Sequence, residues 1–234
     1  MGSKSRFTKE LLSIILENRE DNQWYVEPFV GGMNMISEVS GNRIANDNNP
    51  YLISMWNALL TGWEPPLEVS KEDWKNCRDN KDLHLPAFVG WCGFNCSYSG
   101  VFFGGYAGKT KTKLGTIRDY QAEAHKNINK QLEKLQGVEI NYGDYRDLRI
   151  PHNSIIYCDP PYKGTSSYKT GDFNHEEFWN WCDEMTNYGN KVFVSEYSAP
   201  NGWRAVWYKE VKSSLSANGK SGGSKLSMEC LFTK

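Results

Sequence analysis

The sequence predicts an α/β fold with a mostly parallel sheet, helices on both of its faces, a C-terminal antiparallel hairpin and one small insertion. Three observations support this prediction. The first part of the chain alternates short apolar runs with helical periods, which is the rhythm of a parallel sheet. The rhythm breaks between residues 61 and 115 and then resumes. The last two apolar runs follow one another with no helix between them, which indicates an antiparallel pair.

The amino-terminal part contains two units in which a strand is followed by a helix. Apolar residues recur at helical spacing among charges in 4–20, and the apolar run 24–29 ends in proline and glycine, as a buried strand does. The predicted order is a helix in 4–20, a strand at 24–29, a helix at 33–39, a strand at 43–46 and a helix at 50–60.

Residues 61–115 show no helical or strand period that persists. They contain Pro65-Pro66, a middle that bears Trp and Cys, and frequent glycines. Loops of this length are uncommon in a compact domain unless they carry function. We therefore divide the chain into a core, residues 1–60 and 116–234, and an insertion, residues 61–115, with a small fold of its own.

The regular pattern returns after the insertion. A long polar helical segment comes first, and apolar runs alternate with one further helix behind it. The Ser/Gly/Lys-rich stretch 212–225 joins the last two strands and is predicted to be mobile. The predicted elements are a helix at 116–135, strands at 138–142 and 154–158, a helix at 175–188, and strands at 191–196, 203–211 and 226–232.

Composition and charge restrict the class of protein. The 27 basic and 28 acidic residues give a formal net charge of −1, which excludes an acidic solvating tail and a histone-like wrapping protein. A nucleic-acid binder with one basic face remains compatible with this charge. Aromatic residues make up 14% of the chain, and each of them can fill a core or stack on a base.

Cysteine usage and hydropathy predict a location in the cytoplasm. The six cysteines are too sparse for a small disulfide scaffold, and the four histidines are scattered, so we expect no metal site. The sequence has no apolar run of 18 residues and no signal-peptide core, so we expect no membrane association.

The first chemical motif is Glu27-Pro28-Phe29-Val30-Gly31-Gly32, which lies at a strand end before a predicted helix. Glycines there let the backbone approach a ligand closely, and open α/β sheets bind ligands at the carboxyl ends of their strands. Asp47 follows the second strand, where an acid can accept hydrogen bonds from ribose hydroxyls. A tight turn with a helix cap explains the same residues. The pattern lacks a full G-x-G-x-x-G, which argues against a dinucleotide.

The second motif, Asp159-Pro160-Pro161-Tyr162, comes directly after an apolar strand. The two prolines hold the turn extended and remove two backbone donors, so nearby carbonyls remain available as acceptors. An acid before them and an aromatic ring after them form a pocket that accepts hydrogen bonds from an amine and stacks on a flat ring.

With these two motifs in this order, and an insertion between them, the chain resembles the adenine-specific DNA methyltransferases of the Dam-like (alpha) arrangement, of bacterial or phage type. The resemblance covers nearly the whole chain. It implies a Rossmann-like core, S-adenosyl-L-methionine as the cofactor, double-stranded DNA as the partner, and a monomer or weak dimer in the cytoplasm of a bacterial or phage-infected cell. It is also compatible with a role in restriction-modification. Related protein and ribosomal enzymes typically carry Asn-Pro-Pro-Tyr, so Asp159 favours adenine.

The resemblance also implies site residues. Lys4 would meet the cofactor carboxylate, although Met1-Gly2-Ser3 before it is also a sequence that expression vectors add. This chain has Gly-Gly-Met where relatives often have Gly-x-Gly. Asp144 resembles the acid beside the cofactor adenine, or it caps a turn. The implied catalytic residues are Asp159, Pro160, Pro161 and Tyr162, and the implied cofactor-binding residues are Lys4, Glu27, Pro28, Phe29, Gly31, Gly32, Asp47, Asp144, Tyr145 and Asp159.

The insertion is similar to the Asn- and Gly-rich target-recognition segment of this family. A group of lysines with only polar or small residues between them, together with one arginine, suits phosphate contacts. An ordinary solvated loop is the alternative interpretation. The implied DNA-binding residues are Asn95, Tyr106, Lys109, Lys111, Lys113 and Arg118.

The implied reaction is direct methyl transfer to the 6-amino group of adenine after the base has been flipped out of the duplex. Two other hypotheses remain. One is an amine methyltransferase that acts on RNA or protein, and the other is a DNA-binding relative that has lost catalysis.

Overall fold

The computed structural model describes residues 4–112, 114–163, 173–212 and 226–234. The predicted linker 212–225 therefore lies outside the described residues apart from its first residue, as do Met1-Gly2-Ser3 and Lys113. The strands are β1 (Tyr25–Glu27), β2 (Arg43–Asp47), β3 (Lys109–Lys111), β4 (Ile117–Asp119), β5 (Glu139–Tyr142), β6 (Ile155–Cys158), β7 (Lys191–Glu196), β8 (Arg204–Lys212) and β9 (Leu226–Thr233). The α-helices are α1 (Thr8–Ile15), α2 (Pro50–Leu60), α3 (Lys71–Asp79), α4 (Pro86–Gly90), α5 (Tyr120–Leu132) and α6 (His175–Asn187).

Seven of these strands form one sheet in the order β5-β2-β1-β6-β7-β9-β8. The pairs β5–β2, β2–β1, β1–β6 and β6–β7 are parallel. Strand β9 pairs antiparallel with both β7 and β8. The predicted fold class, a Rossmann-like and mostly parallel sheet with a C-terminal antiparallel hairpin, is confirmed.

Helices cover both faces of the sheet, because alternate strand residues point to opposite sides. Tyr25 and Tyr157 belong to one apolar cluster, which also contains Leu11 of α1 and Trp56 of α2. The neighbouring strand residues belong to a second cluster, which contains Phe178 of α6. The members of the second cluster that lie on strands are Val26, Ile44, Ile156, Cys158, Val192, Val194, Cys230 and Phe232.

Between β1 and β6, the direction in which successive strands are added to the sheet reverses. From β1 the chain continues to β2 on one side, whereas from β6 it continues to β7 on the other side. In open α/β sheets the carboxyl ends of two such strands border the crevice in which ligands bind. Glu27 is the last residue of β1 and Asp159 follows β6, so both motifs lie at this crevice.

Two helix predictions need correction. The predicted helix at 33–39 is only a 3-10 turn, Ile36–Glu38, because Gly31 and Met33 both have positive φ angles (49° and 55°) and the loop after β1 uses the residues that would form the first helical turn. The predicted helix at 116–135 begins at Tyr120, where the Asp119 side chain accepts hydrogen bonds from the amides of Gln121 and Ala122.

The insertion contains more regular structure than its sequence predicts. Helix α3 begins after Ser70, whose hydroxyl accepts a hydrogen bond from the Asp73 amide (3.0 Å). This helix is polar except for buried Trp74 and Cys77. Two apolar residues are too few to show a helical period in the sequence. Strands β3 and β4 form a separate hairpin that spans the predicted boundary at residues 115 and 116.

The insertion packs against the core through α4 and α2. A Cβ atom on Gly90 would overlap the carbonyl oxygen of Tyr51 and would lie 2.8 Å from Cβ of Met55. Helix α4 therefore approaches the backbone of α2 at a point where only glycine fits.

No helix in the described part of the chain is long and apolar enough to cross a membrane.

Candidate active site

Four carboxylates surround the crevice at the carboxyl ends of the central strands. They come from four strands of the sheet or from the turn after one: Glu27, Asp159, Glu196 and Glu229. Strand β9 contributes Glu229 to this edge because it runs antiparallel to β7, so its early residues lie beside the last residues of β7. All four side chains are largely buried, and sequence reasoning identified only Glu27 and Asp159.

Lys4 pairs with two of these carboxylates. Its Nζ atom lies 3.0 Å from Oδ1 of Asp159 and 3.3 Å from Oε2 of Glu229, and it donates a hydrogen bond to the Tyr162 hydroxyl (2.6 Å). The exposed fractions of the Lys4 and Asp159 side chains are 10% and 22%. Burial would lower the pKa of Lys4, but the charges of Asp159 and Glu229 outweigh burial and raise it. Lys4 is therefore protonated here.

Burial raises the pKa of Asp159, and the charge of Lys4 opposes this effect. Pro160 is buried behind Asp159. The Lys163 amide donates a hydrogen bond to Oε2 of Glu196 (3.0 Å), which fixes the chain directly after Tyr162. The Tyr162 ring meets the Tyr197 ring edge to face, with centroids 4.7 Å apart. The turn is therefore held in place by the bond from the Lys163 amide and by the contact of the Tyr162 ring.

Glu27 is 3% exposed and accepts a hydrogen bond from the Tyr25 hydroxyl (2.8 Å). Burial raises its pKa to about 8, the Tyr25 bond opposes this, and the nearby charge of Asp159 adds to it. A cation that binds beside such a buried carboxyl group stabilises its charged form.

Asp47 holds the glycine turn in place. Its carboxylate accepts hydrogen bonds from the amides of Gly31 (3.1 Å) and Asn49 (3.0 Å). Burial raises the pKa of Asp47 in spite of these bonds. Beside it, the Asn46 amide donates to the carbonyls of Pro28 (3.1 Å) and Gly143 (3.0 Å), so it connects two predicted cofactor segments. Sequence reasoning missed Asn46, although its place at the end of a buried strand was a signal.

The other predicted cofactor residues lie beside this turn. Phe29 packs on Tyr145 with ring centroids 5.1 Å apart. Asp144 caps the short turn after it, accepting from the Arg146 amide (2.9 Å), and its side chain pairs with the Arg146 guanidinium (2.7 Å). A Cβ atom on Gly32 would approach the Asn34 side-chain nitrogen to 2.9 Å.

The residues predicted to bind DNA fall into two groups. Asn95 and Tyr106 face inward: Asn95 donates to the Met55 sulfur (3.2 Å), and the Tyr106 hydroxyl donates to the Val69 carbonyl (2.9 Å). Of the predicted basic residues, Lys109, Lys111 and Arg118 lie on the β3–β4 hairpin, and Lys113 lies outside the described residues.

These basic residues have acidic neighbours within the same region. Lys109 pairs with Glu68 (2.9 Å), and Arg118 pairs with Glu123 (2.7 Å). Lys111 is exposed. Part of the charge of this patch is therefore balanced by acidic residues next to it.

Within the described ranges, no group of three or more His, Cys, Asp and Glu side chains could hold a metal ion.

The chain has a mostly parallel sheet with a glycine turn after β1 and Asp-Pro-Pro-Tyr after β6, and its family match assigns it to the class of S-adenosylmethionine-dependent methyltransferases. The chain matches the model of the D12 class N6 adenine-specific DNA methyltransferase family over residues 1–88 and 83–212, and it belongs to this family. Its cofactor is S-adenosylmethionine.

Solved structures also match over almost the whole chain. They include a protein described as a methylase from Haemophilus influenzae (10% identity, 99% of this chain and 98% of that chain, TM-score 0.37). Another is described as an RNA methyltransferase from Pyrococcus horikoshii (10% identity, 98% and 82%, TM-score 0.42). A third is described as an rRNA methylase from Streptococcus thermophilus (7% identity, 100% and 98%, TM-score 0.41).

The residues at the crevice suit this cofactor chemically. S-adenosylmethionine carries two positive groups, a sulfonium and an ammonium, and the crevice presents the carboxylates Glu27 and Asp159, whose pKa values burial raises. The cofactor's own carboxylate requires a cation, and Lys4 is the predicted one.

Proposed function

We propose that the protein transfers a methyl group from S-adenosylmethionine to the 6-amino group of adenine in a specific sequence of double-stranded DNA. The observation that carries this proposal is the position of Asp159-Pro160-Pro161-Tyr162 at the carboxyl end of β6, beside Glu27, where the strand order reverses. The family description supports both adenine and DNA as the target.

Asp159 and Pro160 would bind the target amine. The amine is a poor nucleophile because its lone pair is delocalised into the ring. Asp159 would accept one of its hydrogens and the Pro160 carbonyl the other, which draws the nitrogen toward tetrahedral geometry and favours the positive charge that develops on it. Neither proline nitrogen can donate a competing hydrogen bond, so the acceptors of this turn stay available for the substrate.

Tyr162 would stack on the flipped adenine, because the amine of a paired base is not accessible inside a duplex. Flipping costs a few kcal/mol, and stacking on an aromatic ring recovers about 1–3 kcal/mol. The Tyr162 ring is braced by Tyr197 and by Lys4, whose Nζ atom lies 4.6 Å from the ring centroid. A braced ring loses little conformational entropy when the base arrives.

When it is bound, S-adenosylmethionine supplies an electrophilic methyl group on sulfur. The chain would bind and orient it through carboxylates for its positive groups, the glycine turn for close backbone approach, and Asp47 for the ribose hydroxyls. We propose that the cofactor-binding residues are Lys4, Glu27, Pro28, Phe29, Gly31, Gly32, Asp47, Asp144, Tyr145 and Asp159.

The insertion, residues 61–115, would recognise the target, and the core, residues 1–60 and 116–234, would carry the reaction. Phosphate contacts would come from the basic residues at the hairpin, which can exchange their acidic partners for phosphates at modest cost because exposed ion pairs are weak. We propose that the protein acts as a monomer or weak dimer in the cytoplasm. The proposed DNA-binding residues are Asn95, Tyr106, Lys109, Lys111, Lys113 and Arg118; to reach DNA, Asn95 and Tyr106 would have to release their bonds to Met55 and Val69.

Transfer of tritiated methyl groups tests this proposal. The purified protein would be incubated with labelled S-adenosylmethionine and DNA that lacks adenine methylation, with RNA and protein substrates in parallel. We expect label in N6-methyladenine of DNA, no label with Asp159→Ala, and normal labelling with exposed Asp21→Ala. Label in RNA or protein alone would favour an amine methyltransferase with another substrate, and cofactor binding without transfer would indicate a relative that has lost catalysis.

A further inference from the structure

Glu229 occupies a position that the two sequence motifs do not explain. It lies on the final strand, β9, whose antiparallel direction brings its early residues to the carboxyl edge of the sheet. Leu231, two residues further on, belongs to the same apolar cluster as Tyr157 and α1. Since alternate residues of a strand share a face, Glu229 faces the side on which the segment before α1 carries Lys4.

Glu229 contacts two residues of the candidate site at once. Its Oε2 atom accepts a hydrogen bond from the Tyr162 hydroxyl (2.9 Å) and lies 3.3 Å from Nζ of Lys4. Its side chain is only 15% exposed, so these contacts form away from bulk water, where hydrogen bonds to a charged group are strong.

When Asp159 binds the target amine, Lys4 requires another carboxylate partner. Lys4 lies 3.0 Å from Oδ1 of Asp159, and Asp159 is the group that would accept a hydrogen bond from the target amine. A lysine paired with Asp159 alone would compete with that amine. With Glu229 present, Lys4 keeps a buried carboxylate partner when the amine binds Asp159.

We infer that Glu229 is a positioning residue for methyl transfer: it holds the Tyr162 ring through the hydroxyl and keeps Lys4 paired beside Asp159 while Asp159 binds the target amine. This inference rests on the proposed function. Glu229 would act through Tyr162 and Lys4 without touching the reacting atoms.

The variant Glu229→Gln keeps the shape of the side chain and removes its charge. We expect kcat for DNA methylation to fall about tenfold or more, while KM for DNA stays within about twofold, because the contacts of Glu229 are with the pocket. Exposed Glu210→Gln on the neighbouring strand is the matched control and should keep the wild-type kcat. An unchanged kcat in folded Glu229→Gln would overturn the inference.

A second measurement does not depend on activity. Acetylation of lysines by acetic anhydride, read by mass spectrometry, should modify Lys4 several-fold faster in Glu229→Gln than in the wild type, with exposed Lys9 as the internal reference. An unchanged Lys4 rate would also overturn the inference. If the wild type transfers no methyl group to DNA, the proposed function fails, and the labelling experiment alone decides whether Glu229 holds Lys4.

If Glu229→Gln does not fold, Tyr162→Phe removes the same hydroxyl bond while retaining the ring. We expect Tyr162→Phe to lower kcat and to raise the Lys4 acetylation rate. Wild-type values for both would contradict the inference.

Discussion

The Nζ atom of Lys4 lies 3.0 Å from Oδ1 of Asp159, so a residue from the start of the described chain pairs with the acid of the central Asp-Pro-Pro-Tyr turn. This contact joins the segment before α1 to the carboxyl end of β6. It also means that the charge balance of the candidate site depends on a single side chain near the amino terminus.

Replacement of Lys4 by Met should destabilise the protein without ligand by about 3 kcal/mol near pH 8, because Asp159 and Glu229 lose their shared cation in a largely buried site. The loss should be smaller near pH 5, because burial raises the pKa of Asp159, so Asp159 takes up a proton more readily as the pH falls. Urea unfolding at the two pH values measures this difference. The exposed control Lys9→Met should change stability little, and an equal loss at both pH values would contradict the charge explanation.

Glu27→Gln should stabilise the protein without ligand at pH 8. The pKa of Glu27 is raised by burial from 4.5 to about 8 in the folded state, so the folded protein holds a proton that the unfolded chain releases. Stability therefore falls as pH rises from about 4.5 to about 8, and Gln removes this penalty, which is on the order of a few kcal/mol.

The same Glu27→Gln variant should bind S-adenosylmethionine more weakly, because a neutral amide replaces a carboxylate that faces a cationic ligand. Urea unfolding between pH 5 and pH 8 tests the predicted gain in stability. Calorimetric titration with the cofactor tests the predicted loss of affinity. Exposed Glu64→Gln is the control. A variant that is less stable at pH 8 than the wild type would refute the assigned pKa.

Asp47→Asn should weaken cofactor binding by roughly tenfold to a hundredfold, since Asp47 both fixes the Gly31 amide and provides the predicted acceptor for ribose hydroxyls. Calorimetric titration with S-adenosylmethionine measures the change. Exposed Asp21→Asn should bind like the wild type. Normal affinity of Asp47→Asn would remove Asp47 from the cofactor site.

Lys111→Ala should reduce the salt dependence of DNA binding by about one unit in the slope of log K against log salt, because one phosphate contact is lost. Lys109→Ala should have a smaller effect, since Lys109 already pairs with Glu68 and lies 4.0 Å from Asp119. Fluorescence anisotropy with a labelled duplex at several salt concentrations measures both slopes. Equal slopes for the wild type and Lys111→Ala would exclude Lys111 from the interface.

Much of the fold and half of the crevice could be predicted from the sequence. The buried strands β1, β6 and β7 contain short apolar runs with clear ends, and helix α2 matches its predicted bounds. Glu27 and Asp159 were found because each directly follows apolar strand residues, and the carboxyl ends of neighbouring parallel strands share an edge.

The remaining site residues depend on strand order, which periodicity does not encode. Glu229 reaches the crevice only because β9 runs antiparallel beside β7. Lys4 was predicted through the family resemblance, but its ion pair with Asp159 was not. The helix predicted at 33–39 failed because positive φ angles at Gly31 and Met33 leave too few residues for a helix, and those angles are set by the turn.

The tight contact between Gly90 and Tyr51 bears on how such enzymes could be re-engineered. If the insertion, residues 61–115, is the proposed recognition segment, a replacement from another member of the family must bring a glycine to this helix crossing, because any larger residue would push on α2. Helix α2 is capped by Asn49, whose amide is bound by Asp47, so the push would reach the glycine turn. Replacement of this segment and the geometry of the glycine turn are therefore linked through one missing methyl group.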